Sequence, residues 1–94
     1  MIIVLGHIEI APADRDEFLR DIKEINPANK TGSGCLSYAI TIADPEVARM
    51  QVAERWQDQQ SLSAHLARQE TLAFINKWSG RMQGEVLKYD ATNE

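Results

Sequence analysis

The sequence contains few of the residues on which covalent, redox or metal chemistry depends. Its 94 residues include one cysteine, Cys35, and two histidines, His7 and His65. A single cysteine excludes an internal disulfide and favours a reducing compartment, so we expect a cytoplasmic protein. Neither His-x-x-x-His nor Cys-x-x-Cys spacing occurs, and no dinucleotide or flavin fingerprint is visible. We therefore expect neither a metal nor an organic cofactor.

Clusters of basic residues and long apolar runs are also missing. With a net charge of −4 and no dense group of Lys or Arg, the chain lacks the basic patch of a nucleic-acid-binding surface. The apolar run at residues 2–5 is far too short to span a membrane, and no basic segment precedes it. The composition, 44% hydrophobic and 26% charged, is typical of a globular protein. We expect one domain over residues 1–94, with a flexible tail at 90–94, that binds neither nucleic acid nor membrane.

What the sequence does contain is a regular succession of apolar segments. Period-two patterns and β-branched residues predict four strands, at residues 2–10, 35–42, 47–56 and 85–89. Helical spacing predicts one helix between the first and second strands and a second helical region between the third and fourth. The order β-α-β-β-α-β is that of a ferredoxin-like α+β fold, a four-stranded antiparallel sheet with helices on one face.

The ends of the helices carry recognisable signals. Asp14, followed three residues later by Glu17, predicts a capping box at the start of the first helix. Asp58 is expected to cap the second helical region, which bends at residues 68–71. Gly84 is expected to end it.

The first strand is apolar on both of its faces in its first half. Helices on one side of the sheet would leave Ile3 and Leu5, or their alternates, exposed on the other, and a small monomer rarely exposes such a surface. We therefore expect a homodimer in which two sheets pack face to face.

Three side chains that could take part in catalysis or ligand binding fall within one short segment. Alternation puts Glu54 and Trp56 on one face of the third strand, and the spacing of Leu62, His65 and Leu66 puts His65 on the apolar stripe of the next helix. His65 is either a base that titrates near neutral pH or a buried histidine with a structural partner. Trp56 is either a flat wall for an aromatic ligand or a core anchor. Glu54 is either a proton-transfer group or one half of a structural ion pair.

Four more side chains are candidates for binding a substrate in the same pocket. Tyr38, which alternation places on one strand face with Leu36, either donates a hydrogen bond to the substrate or fills the sheet. His7 faces either the pocket or the dimer interface, since alternation alone does not say which face the helices cover. Phe74 and Trp78 line the pocket from the last helix or belong to the core.

Three runs of sequence, in this order and on this frame, resemble the antibiotic biosynthesis monooxygenase family. They are Gly34-Cys35-Leu36-Ser37-Tyr38, Glu54-Arg55-Trp56-Gln57-Asp58 and Ser61-Leu62-Ser63-Ala64-His65-Leu66. The resemblance covers residues 2–89. It implies a dimeric α+β barrel with a pocket between sheet and helices in each subunit. The chain departs from the pattern at Glu70, which stands where many members carry a second histidine.

The resemblance also implies a reaction for some members of the family. A phenol or quinol reacts with dioxygen without metal or flavin, because the substrate itself supplies the electrons after a base removes a proton. On this basis we expect a cofactor-independent monooxygenase with His65 as its base and a small aromatic compound and dioxygen as its partners. Two alternatives stay open: an isomerase or lyase that needs only proton transfer by His65 and Glu54, and a non-catalytic ligand-binding or stress-related dimer.

Overall fold

Four antiparallel strands form one sheet in the order β2-β3-β1-β4. The computed structural model describes residues 1–27 and 31–91, and most of the predicted tail at 90–94 lies outside them. The strands are β1 (Ile2–Glu9), β2 (Cys35–Asp44), β3 (Arg49–Trp56) and β4 (Gln83–Asp90). The helices of the described part are α1 (Arg15–Ile25), α2 (Gln59–Leu66) and α3 (Gln69–Trp78), with a short 3₁₀ turn, Pro12–Asp14, before α1. The predicted α+β, ferredoxin-like fold is confirmed. None of the described helices has the length and apolar character needed to cross a membrane.

The central strand β1 determines which side chains meet the helices. It pairs with β3 on one side and β4 on the other, both antiparallel. Ile2 and Val4 point to the helical side and are buried, whereas Leu5 and His7 alternate to the other side and are exposed. The sheet therefore has one covered face and one open face, and β4 is exposed along its whole length.

Two apolar clusters form the core between sheet and helices. One cluster joins α1 and α3 to the sheet through Phe18, Trp78 and Met50, all fully buried. The other joins α2 to β1 and β3 through Leu62, Trp56 and their neighbours. Large aromatic side chains anchor both clusters, which is usual in a small core because each buries a large area.

One of the two predicted helix caps is confirmed. The carboxylate of Asp58 accepts a hydrogen bond from the backbone N–H of Ser61 at 2.8 Å, at the start of α2. The predicted capping box at Asp14 is wrong, because Asp14 lies in the 3₁₀ turn and makes no capping bond. Asp14 and Glu17 instead form ion pairs with Arg81, at 3.0 and 3.3 Å.

The second helical region is divided as expected but ends early. Its break falls between Leu66 and Gln69, and α3 ends at Trp78. The prediction that Gly84 ends this helix is wrong, since Gly84 lies inside β4 with φ +142°. A side chain there would collide with the backbone of His7 on β1, so the glycine serves strand pairing.

A bulge in β2 changes the predicted face of Leu36. Cys35 pairs with Trp56 and Tyr38 with Glu54, so one extra residue of β2 is accommodated between the two pairs. Cys35 and Tyr38 therefore both point to the helical side, and Leu36 is left 51% exposed. The prediction that Leu36 shares a face with Tyr38 is wrong for this reason.

Candidate functional site

An apolar cavity of about 420 Å³ lies between the covered face of the sheet and the helices. All four strands contribute to its wall, and so do the three helices. Most of its lining is aliphatic, for example Val4, Ile40, Val52, Leu62, Ile75 and Met82. Five polar residues also line it: Tyr38, Glu54, His65, Thr71 and Lys88. A largely apolar pocket with a few polar groups is the usual form of a small-molecule site.

Glu54 and Trp56 are held together by a direct hydrogen bond. Period-two alternation on β3 turns both toward the helices, and the indole Nε1–H donates to Oε1 of Glu54 at 2.9 Å. Among the described residues, Glu54 forms no salt bridge, so its partner is the indole. Burial raises the pKa of Glu54 above 4.5, and the indole N–H partly opposes this by stabilising the carboxylate. The carboxyl group is therefore easier to protonate than an ordinary glutamate.

His65 packs between the aromatic rings of Trp56 and Tyr38. Its ring centroid lies 5.1 Å from that of Trp56 and 5.9 Å from that of Tyr38. The residue is only 6% exposed, and its Nδ1 has no hydrogen-bond partner within the described part of the chain. Burial lowers the pKa of His65 below 6.5, an effect that the charge of Glu70 partly opposes. The imidazole is thus neutral at neutral pH and can accept a proton.

Tyr38 stands opposite Glu54 on the neighbouring strand. Burial raises the pKa of Tyr38 above its usual 10.0, and the negative charge of Glu54 raises it further. Its hydroxyl therefore keeps its proton at any physiological pH. It can act as a hydrogen-bond donor at the cavity wall and not as a base.

Thr71 belongs to this cavity although no sequence signal had selected it. It is 3% exposed, lines the cavity from the first turn of α3, and its Oγ1 has no hydrogen-bond partner among the described residues. Thr71, Ile75 and Trp78 fall at i, i+4 and i+7, which would have placed Thr71 on the inner stripe of α3. Its position inside the predicted bend at 68–71 concealed that pattern.

The other predicted site residues are distributed differently. Phe74 lines the cavity and also packs against Phe18. Trp78 lies in the cluster between α1 and α3, where its Nε1–H donates to Asp21 at 2.9 Å, and it does not reach the cavity. His7 is exposed on the open face of the sheet and lies away from Glu54 and His65. The structure therefore brings Tyr38, Glu54, His65 and Phe74 together at the cavity. Trp56 is fully buried in the core against Glu54 and His65 and does not line the cavity, so it is a core anchor. His7 and Trp78 lie apart from this group.

Grouped metal-ligating side chains are not found in residues 1–27 and 31–91. No set of three His, Cys, Asp or Glu side chains there lies close enough together to hold a metal ion. The thiol of Cys35, which packs near Trp56, contacts the backbone oxygen of Ser37 at 3.4 Å, and burial raises its pKa.

The fold and the cavity define a class of small α+β proteins in which a four-stranded sheet and its helices enclose an apolar pocket. Within this class, the sequence matches the family model for antibiotic biosynthesis monooxygenase over residues 1–77. The chain belongs to that family, which confirms the resemblance inferred from the three sequence runs. A search of curated proteins gave no significant match.

Solved structures agree with this assignment at the level of the fold. A candidate antibiotic biosynthesis monooxygenase from Caulobacter crescentus is 22% identical, with a TM-score of 0.83 over 98% of this chain and 90% of that one. A second candidate, from Deinococcus radiodurans, is 18% identical, with a TM-score of 0.83 over 100% and 95% of the two chains. A conserved protein from Methanosarcina mazei is 19% identical, with a TM-score of 0.81 over 97% and 92%.

Proposed function

We propose that this protein is a cofactor-independent monooxygenase that oxidises a small phenol or quinol with dioxygen. Membership of the family supports the reaction class. The observation that carries the proposal is the placement of a neutral, buried His65, with its Nδ1 unpartnered, against a cavity whose lining is mostly apolar. Such a group can take a proton from a hydroxyl that an aromatic ligand brings into the cavity.

The proposed oxidation of the phenol begins with this proton transfer. His65 removes the phenolic proton, and the electron-rich phenolate then donates electrons to dioxygen. In the oxidation of a phenol to a quinone, one oxygen atom becomes the new carbonyl. The other oxygen leaves as water with two hydrogens from the substrate, so that atoms and electrons balance.

The neighbouring side chains have separate tasks in this scheme. Tyr38, which stays protonated, donates to an oxygen of the substrate or of the intermediate. Trp56, fully buried in the core, packs against the imidazole and holds it in place, and Phe74 lines the cavity from α3. Glu54 holds the indole of Trp56 in place through its hydrogen bond, so in this scheme it is a positioning residue and not the base.

We also propose that the protein is a homodimer in the cytoplasm. The open face of the sheet carries Leu5 and Leu87, which pair with each other across β1 and β4 and are 43% and 46% exposed. A second copy of the same face would bury this apolar surface. The single cysteine, which is free, supports a reducing compartment.

Oxygen consumption with a panel of quinols and naphthols tests the proposed reaction. We expect uptake above the uncatalysed rate, one atom of labelled dioxygen in the product, and a loss of about a hundredfold or more in His65→Asn. The control is Ser63→Ala, an exposed position of the same helix, which should leave uptake unchanged. Uptake that is equal in wild type and His65→Asn would contradict the proposal. Turnover that continues without dioxygen would instead favour an isomerase or lyase.

A further inference from the structure

Two residues that line the same cavity each carry a buried polar atom without a hydrogen-bond partner among the described residues. One is Nδ1 of His65, on α2, and the other is Oγ1 of Thr71, on α3. Both residues are more than nine-tenths buried and both line the apolar cavity. Buried side-chain polar atoms in proteins almost always have a partner, so two such atoms at one cavity require an explanation.

Packing alone does not explain the hydroxyl of Thr71. A threonine in a helix commonly donates to a carbonyl three or four residues earlier, which here would mean Arg68 or Ala67. The Oγ1 of Thr71 makes no such bond. Valine has nearly the same shape and would fill this space without leaving a buried hydroxyl unpaired. The hydroxyl is therefore better explained by something that enters the cavity.

We infer that Thr71 is a ligand-binding residue that recognises the oxygen atom of the aromatic substrate together with His65. This inference rests on the proposed function. A hydroxyl both donates and accepts, whereas a neutral imidazole has one nitrogen that accepts. When His65 takes the phenolic proton, the hydroxyl of Thr71 donates to the phenolate oxygen and stabilises its charge.

The same geometry specifies the chemical class of the substrate. One oxygen of Glu54 is already bonded to the indole of Trp56, and most of the remaining wall is aliphatic or aromatic. A matching ligand therefore has an aromatic body and an oxygen at the edge that faces α2 and α3. Sugars and polyhydroxylated compounds would leave hydroxyls unpaired against the apolar wall, so the site selects against them.

The test compares two probes that differ only in the polar group, 1-naphthol and 1-methylnaphthalene, by isothermal titration calorimetry. Wild type should bind 1-naphthol more tightly. In Thr71→Val, we expect affinity for 1-naphthol to fall on the order of tenfold and affinity for 1-methylnaphthalene to stay unchanged. The matched control Thr71→Ser keeps the hydroxyl and should keep the preference.

The outcomes separate this inference from the proposed function. A wild type that binds neither probe would overturn both. A Thr71→Val variant that retains the preference for 1-naphthol would overturn the role of Thr71 and leave the pocket and the role of His65 intact. Thermal melting followed by circular dichroism adds a second measurement. Thr71→Val should fold and melt at the wild-type temperature or above it, and a variant that fails to fold would mean that the hydroxyl is structural.

Discussion

His65 occupies a position in which its charge is disfavoured by the fold. Its imidazole packs between two aromatic rings, and burial lowers the pKa from 6.5 while Glu70 only partly restores it. The unfolded chain therefore binds a proton on His65 at a higher pH than the folded protein does. This difference in proton binding makes the stability of the protein depend on pH.

Stability should fall as the pH drops below 6.5, and His65 should cause part of that fall. Between the lowered folded pKa and the unfolded pKa, the unfolded state binds more protons, so the free energy of unfolding rises with pH. The contribution of His65 is complete above 6.5 and is lost as the pH falls through the folded pKa. Urea denaturation from about pH 7.5 to about pH 5 measures this, and His65→Asn should show a shallower dependence. Parallel profiles for the two proteins would contradict the prediction.

Some of the site could be predicted from the sequence, and some could not. Period-two alternation correctly placed Glu54 and Trp56 on one face of β3, and helical spacing correctly placed His65 on the inner stripe of α2. The bond from Trp56 to Glu54 could not be foreseen, since rotamers and not spacing decide it. Thr71 was missed because a break in helical periodicity conceals the start of the next helix.

At the scale of the secondary structure elements, the close approach of β1 and β4 depends on glycine. Gly6, in the middle of β1, faces the backbone of Glu85 and Val86 so closely that a Cβ would lie 2.6 Å from the Val86 Cα. Contacts with backbone cannot be relieved by a change of rotamer. A side chain at this position would have to push the two strands apart.

We expect Gly6→Ala to lower the free energy of unfolding by about 1–3 kcal/mol or more, because it overpacks a site bounded by backbone. The control is Gly80→Ala, where nothing lies within 4 Å and φ is not positive. That variant should be neutral or more stable by about 0.4–1 kcal/mol, since it reduces the freedom of the unfolded chain. Denaturant titration compares the two. Equal stabilities for Gly6→Ala and Gly80→Ala would show that the strands adjust freely.

The element order was predictable because each strand and helix has its own apolar period. The predictions that proved wrong concern residues at which one element meets another. Asp14 forms an ion pair with Arg81 in place of the expected capping bond. Arg81 lies more than sixty residues away along the chain, and no local pattern encodes such a partner. Gly84 was assigned to a helix end, although its need for φ +142° comes from the neighbouring strand. Leu36 lies on a different face from the predicted one because one extra residue in β2 creates a bulge in its pairing with β3.

At the scale of the whole molecule, the two faces of the sheet differ in what covers them. Helices cover one face, and the other presents Leu5, Leu87 and Tyr89 to the surroundings. The proposed dimer would use this face. Its stability would then depend on apolar side chains that the helices of their own subunit do not cover.

Leu5→Arg should shift the protein from dimer to monomer in size-exclusion chromatography with light scattering at micromolar concentration. A charge at the centre of the proposed interface would be desolvated without a partner. Leu72→Arg is the matched control, because Leu72 is similarly exposed, at 48%, but lies on α3. A wild type that is monomeric under these conditions would contradict the dimer. So would a Leu5→Arg variant that remains dimeric.

The separation of the two tryptophans into different clusters has an optical consequence. Trp56 packs against the imidazole of His65, whereas Trp78 packs between α1 and α3, with the guanidinium of Arg81 4.0 Å from the centre of its ring. Each indole emits from its own surroundings. In Trp78→Phe the remaining fluorescence reports the surroundings of His65, including its charge, and in Trp56→Phe it reports the packing between α1 and α3. The two clusters of the core can thus be followed separately by fluorescence, one in each variant.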